Sequence, residues 1–249
     1  MIDTPFTRSF GLKHAIALAP EPGLASASLA AAVTEAGGLG LIGCGGQSAD
    51  WIAAEYARAG ETAVGCGVSC QALDDDPRRV QAVLNGRPLA VYLHDGDPRA
   101  HAEKLRAARV RVICEVKTLA DAERAVAAEA EVIVARGTDA AGQPAPRTMF
   151  NLVPELADLI RREADDMILL AFGGVVDART LSAVIALGAD GAVMSSRLLA
   201  SEEGRKTASP PSSQGAGMVR DVLPVASILD QVTRRAERVL SHSMRAVIE

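Results

Sequence analysis

The 249 residues carry 31 acidic and 26 basic side chains, a formal charge of −5, and no basic block, which argues against a nucleic-acid partner. Hydrophobic residues make up 49% and aromatics only 3%, so the interior is filled by Ala, Val, Leu and Ile, the residues of parallel strands covered on both faces. No apolar run approaches the roughly 20 residues of a bilayer span, and the four cysteines are scattered with no signal peptide before them, which predicts a soluble protein of the reducing cytoplasm.

Taken in order, the chain alternates short apolar runs with Ala-rich amphipathic stretches. The runs fall at 15–19, 39–43, 63–68, 89–93, 110–114, 132–135, 168–171 and 192–194. Between them, residues 24–36, 49–59, 77–84, 98–107, 119–128, 152–162 and 178–187 show helical spacing. Strand and helix alternating at this pace imply right-handed crossovers and a parallel sheet. Eight such units in a chain near the typical 250 residues favour a TIM-type (β/α)8 barrel, single domain over 1–249, against a doubly wound open sheet. Residues 201–220 are polar with Pro and Gly and read as a surface loop. The stretch 223–243 carries an apolar stripe, Val225, Ile228, Leu229, Val232, Ala236, Val239 and Leu240, and reads as a closing C-terminal helix.

In a barrel every loop that follows a strand opens on one face, and that face carries the chemistry. The loops there bring Pro20 and Glu21, Ser69, His94 with Asp95 and Asp97, Glu115 and Lys117, and a long segment from Arg136 to Phe150 holding Asp139, Gly142 and Gln143. Strand seven ends in Gly173-Gly174 and strand eight in Ser195-Ser196. Such small-residue turns, with the dipole of a following helix, favour an anionic group, as a phosphate cup made by two neighbouring loops. The plain alternative is tight connection only. His94 is the single histidine expected at the mouth, as a proton donor or base or else as a loop residue satisfied by Asp95. No metal set is predicted, because Cys66 and Cys70 on a strand are roughly 13 Å apart and Asp95 with Asp97 lacks a third carboxylate. No G-x-S-x-G elbow is present. A phosphate cup without metal or nucleophile suggests that a bound cofactor carries the reaction.

The segment IALAPEPGLASASLAAAVTEAGGLGLIG resembles the opening strand, APM-x-G turn and AGGLG second strand of the nitronate monooxygenase family, formerly called 2-nitropropane dioxygenases. VARGTDAAGQ resembles its A-x-G-x-EAGGH. LLAFGGVVDARTLSAVIALGADGAVMSSRLLASEE resembles its A-x-GGI…ALGADGV-x-MGTRF, and SSQGAGMVRDVLPVASILDQV its closing glutamine-glycine segment and helix. The order of the four is shared. This resemblance implies flavin mononucleotide (FMN) as cofactor. Gly173, Gly174, Ser195, Ser196, Gln214 and Gly215 would then line its phosphate end, Ala19, Pro20 and Glu21 its ring, and Ser69, Arg136 and Gly142 would stand at further contact positions.

The sequence departs from the family at named places. Ser195 adds a side chain where the family has glycine, and Glu21 replaces methionine, setting a carboxylate where it disfavours an anionic reduced flavin. Gln143 replaces the family's histidine and cannot act as a general acid or base near neutral pH, whereas Asp139 keeps the acidic position. The family's added helical segment after SEE, a lid over the flavin, is missing. The implied activity is an FMN-dependent oxidoreductase that oxidises a small nitronate or related carbon acid with oxygen, with Gln143 orienting the substrate. Two alternatives stand beside it: an FMN- or phosphate-binding barrel that has lost catalysis and acts with a partner subunit or as a homo-oligomer, and an FMN-dependent enoyl or NAD(P)H:quinone reductase.

Overall fold

The structure is a computed structural model that describes residues 2–140, 145–164, 166–204 and 214–243. Eight strands form one parallel sheet: β1 (Ile16–Leu18), β2 (Leu41–Gly45), β3 (Gly65–Ser69), β4 (Ala90–His94), β5 (Arg111–Val116), β6 (Val132–Arg136), β7 (Ile168–Phe172) and β8 (Gly191–Met194). Their order runs β1-β8-β7-β6-β5-β4-β3-β2. The remaining seam is bridged where Ala17 meets Leu39: the Leu18 N–H donates to the Leu39 carbonyl at 2.9 Å and the Leu39 N–H to the Ile16 carbonyl at 3.0 Å. The result is the TIM barrel that the eight apolar runs predict, each run lying within two residues of its strand.

Period-two alternation divides the strand side chains between two cores. Ala17, Leu41, Ala90, Tyr92, Ile113, Val134, Leu170 and Val193 fill the barrel interior. Ile16, Ile42, Val68, Val91, Val112, Ile133, Leu169 and Met194 belong to the outer core with the helices. Those helices are α2 (Ala27–Glu35), α3 (Ala49–Ala59), α5 (Arg78–Asn85), α6 (Arg99–Ala107), α7 (Leu119–Ala127), α8 (Met149–Glu163), α9 (Ala178–Ala186) and α11 (Val225–Arg238). Ser26, Ser48, Thr118 and Asp177 cap α2, α3, α7 and α9 through side-chain oxygens, which is why these helices start where they do. The terminal stripe docks as expected, with Val225, Ile228, Leu229, Val232 and Ala236 buried. No described helix is long and apolar enough to cross a membrane.

Two short helices, α1 (Pro5–Phe10) and α4 (Cys70–Asp75), have no counterpart in the sequence reading, and the helix expected after Ser195-Ser196 is the single turn α10 (Ser196–Leu199). The first closes the barrel floor. Thr4 and Thr7 cap it reciprocally, Phe6 is fully buried in the interior core, and the Arg111 guanidinium lies 3.6 Å above the Phe10 ring. With the floor plugged, the mouth at the strand C-termini is where the barrel opens.

Candidate functional site

The loop after β1 descends into the mouth. It has room because β2 and β3 carry glycines at their middle positions: a Cβ on Gly43 would stand 2.1 Å from the Glu21 carbonyl oxygen, and one on Gly67 2.4 Å from the Pro20 ring. Ala19 is buried and its N–H donates to the Met194 carbonyl at 2.9 Å. Glu21 then reaches across to β8, where the Ser195 hydroxyl donates to its carboxylate. Burial pushes the Glu21 carboxyl up, against the lowering effects of that hydrogen bond and of the Arg136 charge. The two residues that depart from the family pattern on these strands are therefore one hydrogen-bonded pair.

Beside this pair lies a cleft of about 210 Å3 between the ends of β7 and β8, lined by Phe172, Gly173, Gly174, Ser195 and Ser196. That volume takes in space open to solvent, and the enclosed part has room for about one water. Gly173 and Gly174 have φ of 135° and 66°, which glycine alone adopts without strain. A Cβ on Gly173 would come within 2.9 Å of the Ala140 nitrogen, and one on Gly215 within 2.7 Å of Val176. Asp139 backs the turn, its Cβ 3.5 Å from where a Gly174 Cβ would stand, and Gln214 Nε2 donates to the Thr138 carbonyl at 3.4 Å. Gly173, Gly174, Ser195, Ser196, Gly215, Gln214 and Asp139 thus converge from four loops, and the glycines leave backbone there that no Cβ covers.

The expected help from helix dipoles needs correction. The first amides of α9 are taken by Asp177, which accepts from the N–H groups of Arg179 and Thr180, while Thr180 accepts from Val176 and Asp177. After β8, α10 is a single turn of four residues, too short for a useful macrodipole. Donors to an anion here come from the loops.

Opposite the cleft, the mouth is lined by charged side chains. Arg136 and Glu115, both nearly fully buried, pair at 2.9 Å, the Tyr92 hydroxyl donates to the other Glu115 oxygen at 2.8 Å, and the Arg136 guanidinium lies 5.6 Å from the Phe172 ring. Burial alone would lower the Arg136 pKa, but the Glu115 charge outweighs it. Lys117 Nζ stands 3.7 Å from Glu115 and 3.1 Å from Asp95, whose second oxygen meets His94 Nδ1 at 2.9 Å. The His94 and Lys117 hydrogen bonds hold the Asp95 carboxyl well below the usual range. Arg136, expected as a cofactor contact, is engaged by Glu115 inside the barrel, and the Ser69 hydroxyl caps α4 by accepting from the Ala72 N–H. Gly142 and Gln143 lie outside the described residues. The Tyr92–Glu115–Arg136 set went unread in the sequence, although ionisable residues at inward positions of β5 and β6 were its signal. Among the described residues no three His, Cys, Asp or Glu side chains group to hold a metal ion, and all four cysteines are buried and free.

The family model for nitronate monooxygenase matches residues 56–210, and the nitronate monooxygenase of Neurospora crassa is 31% identical over 220 residues, 72% of this chain and 58% of that protein. The chain belongs to the nitronate monooxygenase family. It spans about three-fifths of that relative's length. Among solved structures, FabK from Thermotoga maritima superposes with a TM-score of 0.87 at 20% identity, over 99% of this chain and 100% of that chain. A nitroalkane oxidase from Streptomyces ansochromogenes superposes with a TM-score of 0.78 at 20% identity, over 94% and 99%. At such identities the superpositions support the barrel. For a nitronate monooxygenase family member, the cleft at β7 and β8 is the place where the sequence resemblance sets its phosphate residues.

Proposed function

We propose that the chain is a flavin-dependent oxidoreductase, with FMN as its flavin, that oxidises a small nitronate or related carbon acid with oxygen. One observation carries this reading: the glycines and serines of three loops, backed by Asp139 of a fourth, meet around a cleft beside a mouth lined with buried charges. Gly173, Gly174, Ser196, Gln214 and Gly215 would hold the phosphate, and Ala19, Pro20 and Glu21 would flank the ring. The bound flavin supplies acceptance of an electron or a hydride. The chain's own part is positional and electrostatic. A small anion entering the mouth meets Lys117 and the Arg136–Glu115 pair in a medium of low dielectric, where fixed charges act strongly. Gln143 would hydrogen-bond a nitro or carbonyl oxygen, and Asp139 supports the glycine turn from outside.

The second reading, a flavin- or phosphate-binding barrel without catalysis, is favoured by the Glu21–Ser195 pair, which sets a carboxyl at the cleft's edge. The visible spectrum of the purified protein separates these outcomes. Yellow protein that nitronate or NAD(P)H bleaches in stopped flow supports the oxidoreductase, yellow protein that neither reduces supports the carrier, and colourless protein that takes up no added FMN removes both flavin readings. Gly174→Asp places a charge in the cradle and is expected to abolish flavin retention while the far-ultraviolet circular dichroism stays unchanged; full flavin content in that variant would place the cup elsewhere.

A further inference from the structure

We infer that His94, across the mouth from the glycine cleft, is the proton-transfer residue of this site, with Asp95 as its positioning residue and a substrate C–H beside a nitro or carbonyl group as its target. The inference rests on the reading of the mouth as a carbon-acid site and names the group that ionises the substrate there.

Four observations support it. His94 closes β4 on the same side as Ala90 and Tyr92, which lie in the barrel interior, so alternation turns its ring inward. Its Nδ1 is bound at 2.9 Å to Asp95, a carboxylate whose other oxygen takes Lys117 Nζ at 3.1 Å. A carboxylate only accepts, so Nδ1 carries the proton and the lone pair of the neutral ring sits on Nε2. That Nε2 is buried without a hydrogen-bond partner, as are His14 Nε2 and His101 Nδ1; of the three, His94 is the one at the C-terminal end of a barrel strand, where a buried polar atom has a catalytic explanation open to it. Finally, Asp95 has φ of 50°, the left-handed region that non-glycine residues rarely enter. Neighbouring strand residues point to opposite faces, and the left-handed turn brings the Asp95 carboxylate back to the ring of the residue before it. Arg87, Arg109 and Glu129 take the same backbone conformation, so the turn serves here as the means by which Asp95 reaches the ring.

The chemistry balances without an oxidant. The substrate proton passes to His94 Nε2, and the electron pair of the broken C–H bond stays on the substrate as a nitronate or enolate. The imidazolium formed is paired with Asp95, whose charge Lys117 has already fixed in place. Gln143 cannot perform this step, so the proton function that the family motif sets on the loop after β6 falls here to β4.

Deuterium exchange into the α-carbon of 1-nitropropane in D2O, followed by proton NMR on the whole chain, tests the step and needs no flavin. Exchange above the buffer rate is expected, falling by about a hundredfold, the scale of general base catalysis, in His94→Gln. Asp95→Asn is expected to lower it by about tenfold, part of that range, and to change the His94 tautomer in long-range 1H–15N spectra. No exchange by the wild type, equal exchange by a folded His94→Gln, or a wild-type Nε2–H tautomer would each overturn the inference. Yellow, reducible protein without exchange defeats this step alone; colourless protein that still exchanges defeats the flavin reading and leaves His94 standing.

Discussion

The two sides of the barrel mouth are built from different materials. The β7 and β8 side is made of backbone: glycines at positive φ, two serines and a cleft without a charged wall. The β4 to β6 side is made of long side chains, Tyr92, Glu115, Arg136, Lys117, Asp95 and His94, joined by hydrogen bonds and ion pairs. Backbone contacts recognise a group that is the same in every ligand, such as a phosphate. Side-chain charges set field and proton position, and those are what differ between reactions. The mouth thus separates holding from chemistry; Arg136 meets the Phe172 wall of the cleft at 5.6 Å, and Glu21 with Ser195 crosses the seam from the β1 loop to β8.

The contrast is broken most severely from the charged side. Arg136→Met strands Glu115 in the interior, and a buried pair that loses one partner costs about 3–5 kcal/mol. Urea midpoints should show that loss, and adding Glu115→Leu should restore most of it, because an apolar replacement of both partners is often neutral. A single variant that loses little would mean that Glu115 is already satisfied without Arg136.

Backbone substitutions are expected to cost less and to act on the cleft. Gly173→Ala pushes a Cβ to 2.9 Å from a backbone nitrogen at φ of 135°, a strain of about 1–3 kcal/mol. Gly174→Ala meets only the Asp139 Cβ at 3.5 Å and costs about 1 kcal/mol for its left-handed backbone. Both narrow the cleft, so flavin content per mole should fall in both, with a clear stability loss in the first alone. Equal urea midpoints for the two would show that the turn yields.

The smallest effect concerns the crossing pair. The Glu21 carboxyl is raised from its ordinary value of 4.5, chiefly by burial, so the folded chain holds this proton more tightly than the unfolded chain does. Its contribution is fully present below that value and is lost as pH rises through the higher folded value. Glu21→Gln mimics the protonated acid, so its stability should match the wild type in acid and exceed it increasingly toward neutral pH. Urea midpoints that run parallel across that range would show that Glu21 titrates normally.

Most of the architecture was legible because each strand is a short run of buried residues set between helical stretches, and a barrel repeats that unit eight times. The phosphate side was legible for a similar reason: Gly173-Gly174 and Ser195-Ser196 are adjacent in sequence, so the turn is visible as text. On the charged side His94, Asp95, Glu115, Lys117 and Arg136 were legible as mouth residues, but their contacts were not, because Tyr92, Glu115 and Arg136 belong to three strands and meet only through inward alternation and parallel register. Helix α1 escaped because PFTRSF is too short to show a period, though Thr4 and Thr7 carried its capping signal. The link between Glu21 and Ser195 spans 174 positions, and two separate departures became one pair only when β1 and β8 were neighbours.

The wall between β1 and β2 is laddered only as far up as Leu39. Above it the segment from Ala19 to Ala25 stands in for missing strand, with the Gly43 N–H donating to the Ala25 carbonyl at 2.8 Å. Part of the barrel's circumference is therefore a loop, and that loop carries Pro20 and Glu21. Regions with fewer tertiary ties open first, so amide exchange is expected to be faster along β2 than along β5, which is laddered on both sides. A flavin held against Pro20 and Glu21, as proposed above, would tighten the stave as it binds, and amide exchange along β2 would then slow as the mouth fills.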